Sequence, residues 1–350
     1  MKAGVVYAPK DIRYEDIKKP VPQAGQVLIK VKYTGICGSD VPRVNGTACH
    51  FYPNVLGHEF SGTVEQVGEG VTTLQEGDRV AGVPLVPCMK CADCQRGDYS
   101  LCKHYSFIGS REFGSFAEYV VAPERNAVKF EDAVSFEQGA FFEPATVALH
   151  GLQRTPFRGG GSVAILGGGT IGMFVMQWAK IFGAKDAVVF DIAPERLELG
   201  KRLGATAGIN TLEPDYMEKA KALTSGRGFD YVFETAGNTI TMKMAFALAA
   251  NKASVCFVGT PTRELSFSVE EWENMNRKEF TLTGSWMSYS APFPGKEWEL
   301  VAHYFKTGDL KFDDSFIFRK FPLSRIAEAF ALYETPGAVK GKILIDSEAQ

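Results

Sequence analysis

Hydrophobic and polar positions follow two different rhythms along the chain. From residue 1 to about 144 the apolar positions come in short alternating runs broken by glycine, as at 25–31, 62–67 and 77–83, a period of two that predicts strands and few helices. From about 161, apolar strands at 162–166, 187–191, 230–234, 254–258 and 280–284 alternate with helical patterns at 171–182, 194–203 and 239–249. Such alternation predicts a doubly wound parallel sheet, because each parallel crossover uses a helix to cover a sheet face. Beyond 284 the chain is irregular and aromatic to 294, then predicts a helix at 298–307 and a last strand at 341–345. The expected fold class is α/β in two domains: a mainly-β domain over 1–150, to which 286–350 return, and a doubly wound domain over 151–285. At 350 residues the chain exceeds the roughly 100–200 residues of one domain, which suits that division.

The strand at 162–166 runs into Gly167-Gly168-Gly169-Thr170-Ile171-Gly172, and the next strand ends on Asp191, 19 residues past Gly172. Gly167 permits a tight turn. Gly169 lets backbone N–H groups, those of Thr170 and Ile171 among them, approach a pyrophosphate at the helix N-terminus, and Gly172 lets helix and strand pack closely. A G-x-G-x-x-G alone is a weak signal; the strand before it, the helix after it and the acid at the second strand's end make it a specific one for a Rossmann-type dinucleotide domain. Asp191 is expected to accept hydrogen bonds from the adenosine ribose and to repel a 2′-phosphate, so NAD is expected over NADP, with Arg196 one helical turn further on.

Composition narrows the partners. Hydrophobic residues make up 45% and charged residues 23%, with a formal net charge of −3, so neither nucleic acid nor an anionic membrane is favoured. Residues 1–10 read as strand and turn, not as a secretion leader, and no run approaches the ~18 apolar residues of a membrane span, so a cytoplasmic location is expected. Of seven cysteines, Cys88, Cys91, Cys94 and Cys102 crowd one short loop. That spacing suits four thiolates closing a tetrahedral structural zinc site; an iron–sulfur cluster fits the spacing less well, and a nucleic-acid finger fits the charge less well.

Two further segments carry chemistry: Gly35-Ile36-Cys37-Gly38-Ser39-Asp40, and Gly57-His58-Glu59-Phe60-Ser61-Gly62. With the cysteine lobe and the nucleotide turn, they resemble the zinc-containing medium-chain dehydrogenase/reductase family across essentially the whole chain. The resemblance implies a GroES-like fold for the mainly-β domain and two zinc ions per subunit, one structural and one catalytic. It implies that Cys37 and His58 hold the catalytic zinc, with Glu59, Glu143 or water completing the shell. Asp40 is then placed to hold the second nitrogen of His58, and Ser39 to receive the substrate's proton while NAD takes the hydride. Where many relatives carry a relay histidine, this chain reads Asp40-Val41-Pro42-Arg43, so the proton's exit falls to water or to His50.

Within that family the sequence resembles the polyol branch. The stretches Cys37–Arg43, Phe107–Arg111 and Gly284–Gly295 look like those of members acting on galactitol 1-phosphate, which would make the reaction its oxidation to tagatose 6-phosphate. Arabitol phosphate, ribitol phosphate and sorbitol are the alternative substrates, and a non-catalytic binding protein on the same fold is the alternative of another class. A phosphate needs cations at the substrate's remote end, for which Arg43, Arg111 and Lys296 are the candidates. Trp286, Tyr289 and Phe293 either line the pocket or pack. The family also implies a homodimer paired through the strand near 280–284, with a tetramer as the alternative.

Overall fold

The computed structural model describes residues 1–335 and 337–349. The chain divides into two compact units: Met1–Glu143 with Tyr289–Thr307 and Asp314–Gln350, and Pro144–Ser288 with Gly308–Asp313.

The second unit is built on a six-stranded, wholly parallel sheet. Its order is Ala207–Asn210, Asp186–Asp191, Ser162–Leu166, Phe229–Glu234, Ala249–Phe257, Thr281–Gly284. Sequence order therefore reverses direction beside Ser162–Leu166, which makes the carboxyl end of that strand the switch point of a doubly wound sheet. Ala164, Leu166, Val188, Phe190, Val232 and Val255 are all within 1% of complete burial, as strands covered on both faces require. The glycine turn follows directly. Gly167 has φ +103°, and helix Thr170–Ile181 starts from Gly169 as its N-cap. A Cβ on Gly172 would stand 1.9 Å from Gly167 O, so only glycine lets the helix approach that closely.

The first unit holds a seven-stranded sheet in the order Ala127–Lys129, Arg79–Gly82, Glu59–Val67, Gln26–Gly35, Lys342–Asp346, Ile317–Pro322, with Tyr119–Pro123 also paired to Gln26–Gly35. Val27, Ile29, Val31, Phe60, Val64 and Val80 form its buried core. Gln26–Gly35 is central. Its last residue, Gly35, lies opposite Glu59 on one side and opposite Leu344 on the other. The strand at Lys342–Asp346 lies where the sequence predicts it, but Ile317–Pro322, which pairs parallel to it, and helix Ile326–Ala331 were not predicted. Among the described residues, no helix is long and apolar enough to cross a membrane.

The close approach at Gly172 yields a first prediction. Gly172→Ala forces backbone against backbone, and overpacking of this kind costs about 1–3 kcal/mol. Urea unfolding should show a lower midpoint; an unchanged midpoint would mean that the turn relaxes freely.

Candidate active site

Strand register, not sequence proximity, assembles the principal cluster. Gln26–Gly35 ends at Gly35, and the chain turns to carry Cys37 beyond the strand end; Glu59–Val67 starts level with that end, so His58 and Glu59 arrive beside Cys37. One donor atom from each of Cys37, His58 and Glu59 lies within 4.8 Å of the other two. A thiolate, an imidazole and a carboxylate at that spacing suit a borderline cation such as zinc, and three protein ligands leave a position open for a reacting group. Glu143, at the start of helix Phe142–Gln153, is not one of the three. Burial, and after it the Glu59 carboxylate, push its carboxyl up to about 7, so it adds to the site's electrostatics from outside that trio.

Asp40 is fully buried, and its Oδ2 accepts the Cys37 N–H at 3.1 Å. Its Oδ1 stands 3.3 Å from His58 Nδ1, within ion-pair range but out of line for a hydrogen bond. The expected contact is therefore an electrostatic one in this arrangement. Burial pulls the His58 imidazole down, but Asp40 and Cys37 outweigh it and hold the ring well above its ordinary range. Phe107 packs edge-on against the ring at 5.5 Å between centroids.

Ser39 Oγ donates to Cys37 Sγ at 3.3 Å and accepts from Arg43 Nη1 at 2.9 Å; the same nitrogen also donates to Ser39 O. The sequence proposed Arg43 for a phosphate, and the structure adds this direct hold on Ser39.

Two participants escaped sequence reasoning. Lys342 is buried, and its Nζ pairs with Glu59 Oε2 and donates to Ile36 O at 3.4 Å. Burial pushes the Lys342 ammonium down, but Glu59 and Cys37 more than reverse this and hold it above its ordinary value. The space for the pair comes from Gly35: a Cβ there would lie 2.6 Å from Glu59 Oε2 and 2.9 Å from Lys342 Cδ. Tyr333, whose hydroxyl burial pushes up to about 12, also feels Lys342, Glu59 and Asp40. The available signal for Lys342 was a lone lysine at the start of a strand, directly before the apolar run Ile343-Leu344-Ile345.

The four lobe cysteines also converge, with one sulfur each inside 4.8 Å of the other three. Cys88 Sγ is 3.9 Å from Cys94 Sγ, and Cys91 Sγ is 3.9 Å from Cys102 Sγ, far beyond a disulfide bond. N–H groups of Lys90 and Cys91 bring the Cys88 thiol down to about 6, whereas burial pushes Cys94 up to about 12. Four thiolates so close together repel one another unless a cation holds them, so the donor set fits a closed structural metal site.

In the nucleotide turn, Asp191 Oδ2 accepts from Gly168 N at 2.6 Å and lies 3.5 Å from Arg196 Nη1, while Oδ1 accepts from Ala193 N at 2.9 Å. Asp191 is thus tied to the turn itself, and Arg196 is beside it. Beyond its chain neighbours, no heavy atom lies within 4 Å of where a Gly169 Cβ would stand, so the turn has open space on that side of the helix N-cap.

The remaining substrate candidates are dispersed. Tyr289 is buried, accepts the Leu85 N–H at 3.3 Å and stacks on Phe293 and Trp298, the arrangement of a packing residue. Lys296 is exposed at the start of helix Lys296–Thr307, and Trp286 is exposed just past strand Thr281–Gly284. Arg111 is exposed, with its guanidinium 4.6 Å from the Tyr105 ring centroid.

The buried ion pair gives the second prediction. Removing one partner of such a pair leaves an uncompensated charge and costs about 3–5 kcal/mol. Lys342→Met should lower the urea midpoint strongly, and Lys342→Met with Glu59→Gln should recover most of the loss. A single variant as stable as the parent would mean that Glu59 needs no counter-charge.

Known proteins share these features. Residues 23–132 match the alcohol dehydrogenase GroES-like domain, and residues 170–303 match the zinc-binding dehydrogenase domain. The chain is 40% identical to galactitol 1-phosphate 5-dehydrogenase of Escherichia coli (strain K12) over 288 residues, 82% of this chain and 83% of that protein. It is 37% identical to sorbitol dehydrogenase of Bacillus subtilis (strain 168) over 268 residues, 75% of this chain and 76% of that one. The crystal structure of galactitol-1-phosphate dehydrogenase from Escherichia coli superposes with a TM-score of 0.93 at 36% identity, covering 99% of this chain and 100% of that one.

Proposed function

The chain belongs to the zinc-binding medium-chain dehydrogenase family, and on that premise we propose that it oxidises one secondary hydroxyl of a polyol phosphate to a ketone, with galactitol 1-phosphate as substrate and tagatose 6-phosphate as product. The observation that carries this reading is the convergence of Cys37, His58 and Glu59, with Ser39 in contact with the Cys37 sulfur. The 40% identity to a galactitol 1-phosphate 5-dehydrogenase supports the substrate. The 37% identity to a sorbitol dehydrogenase keeps unphosphorylated polyols as the rival.

A zinc ion held by Cys37 and His58, with Glu59 in reach, supplies Lewis-acid polarisation of the substrate hydroxyl, and NAD supplies the hydride acceptor. The chain's own residues do the rest. Glu59 is balanced by Lys342, so its carboxylate would be a weaker donor to the ion than an unpaired one. Ser39 accepts the substrate's proton at Oγ as it releases its own. The N–H from Arg43 stabilises negative charge developing on that oxygen, and the proton leaves through water, since Pro42 has no titratable group. Asp40 orients Cys37 through its backbone N–H and faces His58. In the lobe, Cys88, Cys91, Cys94 and Cys102 hold a second, structural zinc that takes no part in the chemistry.

Gly167, Gly169, Thr170, Ile171 and Gly172 receive the pyrophosphate of NAD. Asp191 accepts from the ribose hydroxyls and repels a 2′-phosphate, with Arg196 partly offsetting that repulsion. The enzyme works in the cytoplasm, as its small-molecule substrate class suggests.

The test compares NADH formation from galactitol 1-phosphate, galactitol, arabitol phosphates and sorbitol at matched concentrations. Galactitol 1-phosphate should give the highest kcat/KM, with NAD preferred to NADP; a lead for sorbitol or galactitol overturns the substrate. Metal analysis should find two zinc ions per chain, one lost in Cys37→Ser together with activity and the other in Cys94→Ser together with thermal stability. Retention of both ions in Cys37→Ser would remove the assigned catalytic centre.

We also propose a homodimer. Thr281–Gly284 is the edge of the parallel sheet, and Leu282 at 36% and Trp286 at 54% exposure leave apolar surface beside it. Sedimentation should give twice the chain mass, and Leu282→Lys should shift it towards the monomer. A parent protein that sediments as a monomer at high concentration excludes this pairing.

A further inference from the structure

The loop between helix Val41–Val44 and strand Asn54–Val55 is fixed to two neighbours, and the three junctions tie the segments that carry two guanidiniums and an imidazole, Arg43, Arg111 and His50. Ala48 N donates to Pro42 O at 3.2 Å, tying the loop to the helix that carries Arg43. Asn54, fully buried, donates from Nδ2 to Ser110 O at 3.1 Å, and Phe51 stacks on Phe113 at 6.2 Å. Arg111 lies between Ser110 and Phe113 in sequence, so these two contacts carry it against the loop whose tip is His50. Burial, followed by the charges of Arg111 and Arg43, holds the His50 imidazole below its ordinary value, so the ring favours its neutral form, a hydrogen-bond donor between two guanidinium-bearing segments.

Among the described residues Arg111 and His50 have no ion pair. The nearest carboxylate to Arg43 is Asp40 at 3.7 Å, already engaged with Cys37 N and facing His58. Two guanidiniums, only one of which has a carboxylate in ion-pair range, raise the local potential and favour an anion. Two guanidiniums and an imidazole are a donor set suited to phosphate oxygens. Arg43 also touches Ser39, whose hydroxyl reaches Cys37 Sγ, so the cluster begins at the reacting end of the site with Arg43.

We infer that Arg43, His50 and Arg111 together form the binding site for the terminal phosphate of the substrate. This rests on the polyol-phosphate reading above, adds His50 to the site and leaves Lys296, which stands on a separate helix, outside it. Arg43 is the inner cation, shared between Ser39 and the phosphate. His50 and Arg111 touch the phosphate alone, so they determine preference for the ester over the parent polyol without taking part in the proton transfer.

The experiment uses the full chain with its metal content verified, and titrates inorganic phosphate by calorimetry into the parent, His50→Ala and Arg111→Ala. Saturable binding to the parent, weakened about tenfold or more in each variant, is expected from the loss of one charge-assisted hydrogen bond. Kinetics add a second reading: each variant should raise KM for galactitol 1-phosphate by a similar factor, with kcat little changed and KM for galactitol unaltered. Absence of saturable phosphate binding, or equal binding by parent and variants, overturns the inference whatever the enzyme oxidises. Phosphate bound through His50 and Arg111 by a protein that prefers galactitol would leave the inference standing and remove the proposed substrate.

Discussion

A slip of one residue between Gln26–Gly35 and either neighbour would move every side chain of the slipped strand to the opposite face. At the strand's end the two registers meet: Gly35 faces Glu59 on one edge and Leu344 on the other, with Lys342 two residues before Leu344. Only that double register puts the ammonium of Lys342 on the carboxylate of Glu59, and only a residue without a side chain at 35 leaves room for both. Cys37 and His58 are then fixed by the chain on either side. The cluster of Cys37, His58 and Glu59 is thus a consequence of sheet pairing, rigid because the strands are buried, which is how a site becomes preorganised on a scaffold and not on mobile loops.

Charge placement follows the same logic at a second level. Asp40, Glu59, Glu143 and Lys342 are ionisable groups gathered around Cys37 and His58, where an isolated charge is unfavourable. Each has a local reason to be there: Asp40 accepts a backbone N–H, Glu59 has Lys342, and Glu143 is pushed towards neutrality by burial and by Glu59. A divalent cation fits such a surround because it would balance the carboxylates and the thiol together.

Much of this was legible from spacing. The strand Ser162–Leu166 and helix Pro194–Leu203 coincide with their expected bounds, because a strand buried on both faces and a helix with Pro at its start and Gly at its end are strongly patterned. The convergence of the cysteine lobe was legible for a similar reason, since its four cysteines are local in sequence. Lys342 was not, because its role depends on a pairing across 283 residues that no local pattern records. Ile317–Pro322 escaped because its charged and exposed positions hide the alternation. Asp191 was read as a ribose acceptor, but its grip on Gly168 N and Ala193 N depends on turn geometry that appears only in three dimensions.

The distance in sequence between Glu59 and Lys342 also has a temporal meaning. The doubly wound unit, Pro144–Ser288, is encoded between them. At the roughly 5–20 residues per second of protein synthesis, Glu59 emerges tens of seconds before its cation. During that interval the strand pairs around Gly35 lack the partner that closes the sheet on one side, and a carboxylate destined for the interior has reason to stay in water. The second unit, whose sheet is encoded in one continuous segment, has its strands complete before Lys342 is made. The first unit therefore begins its synthesis first but receives the strand Lys342–Asp346, and with it the counter-charge of Glu59, only after the whole of the second unit has been made.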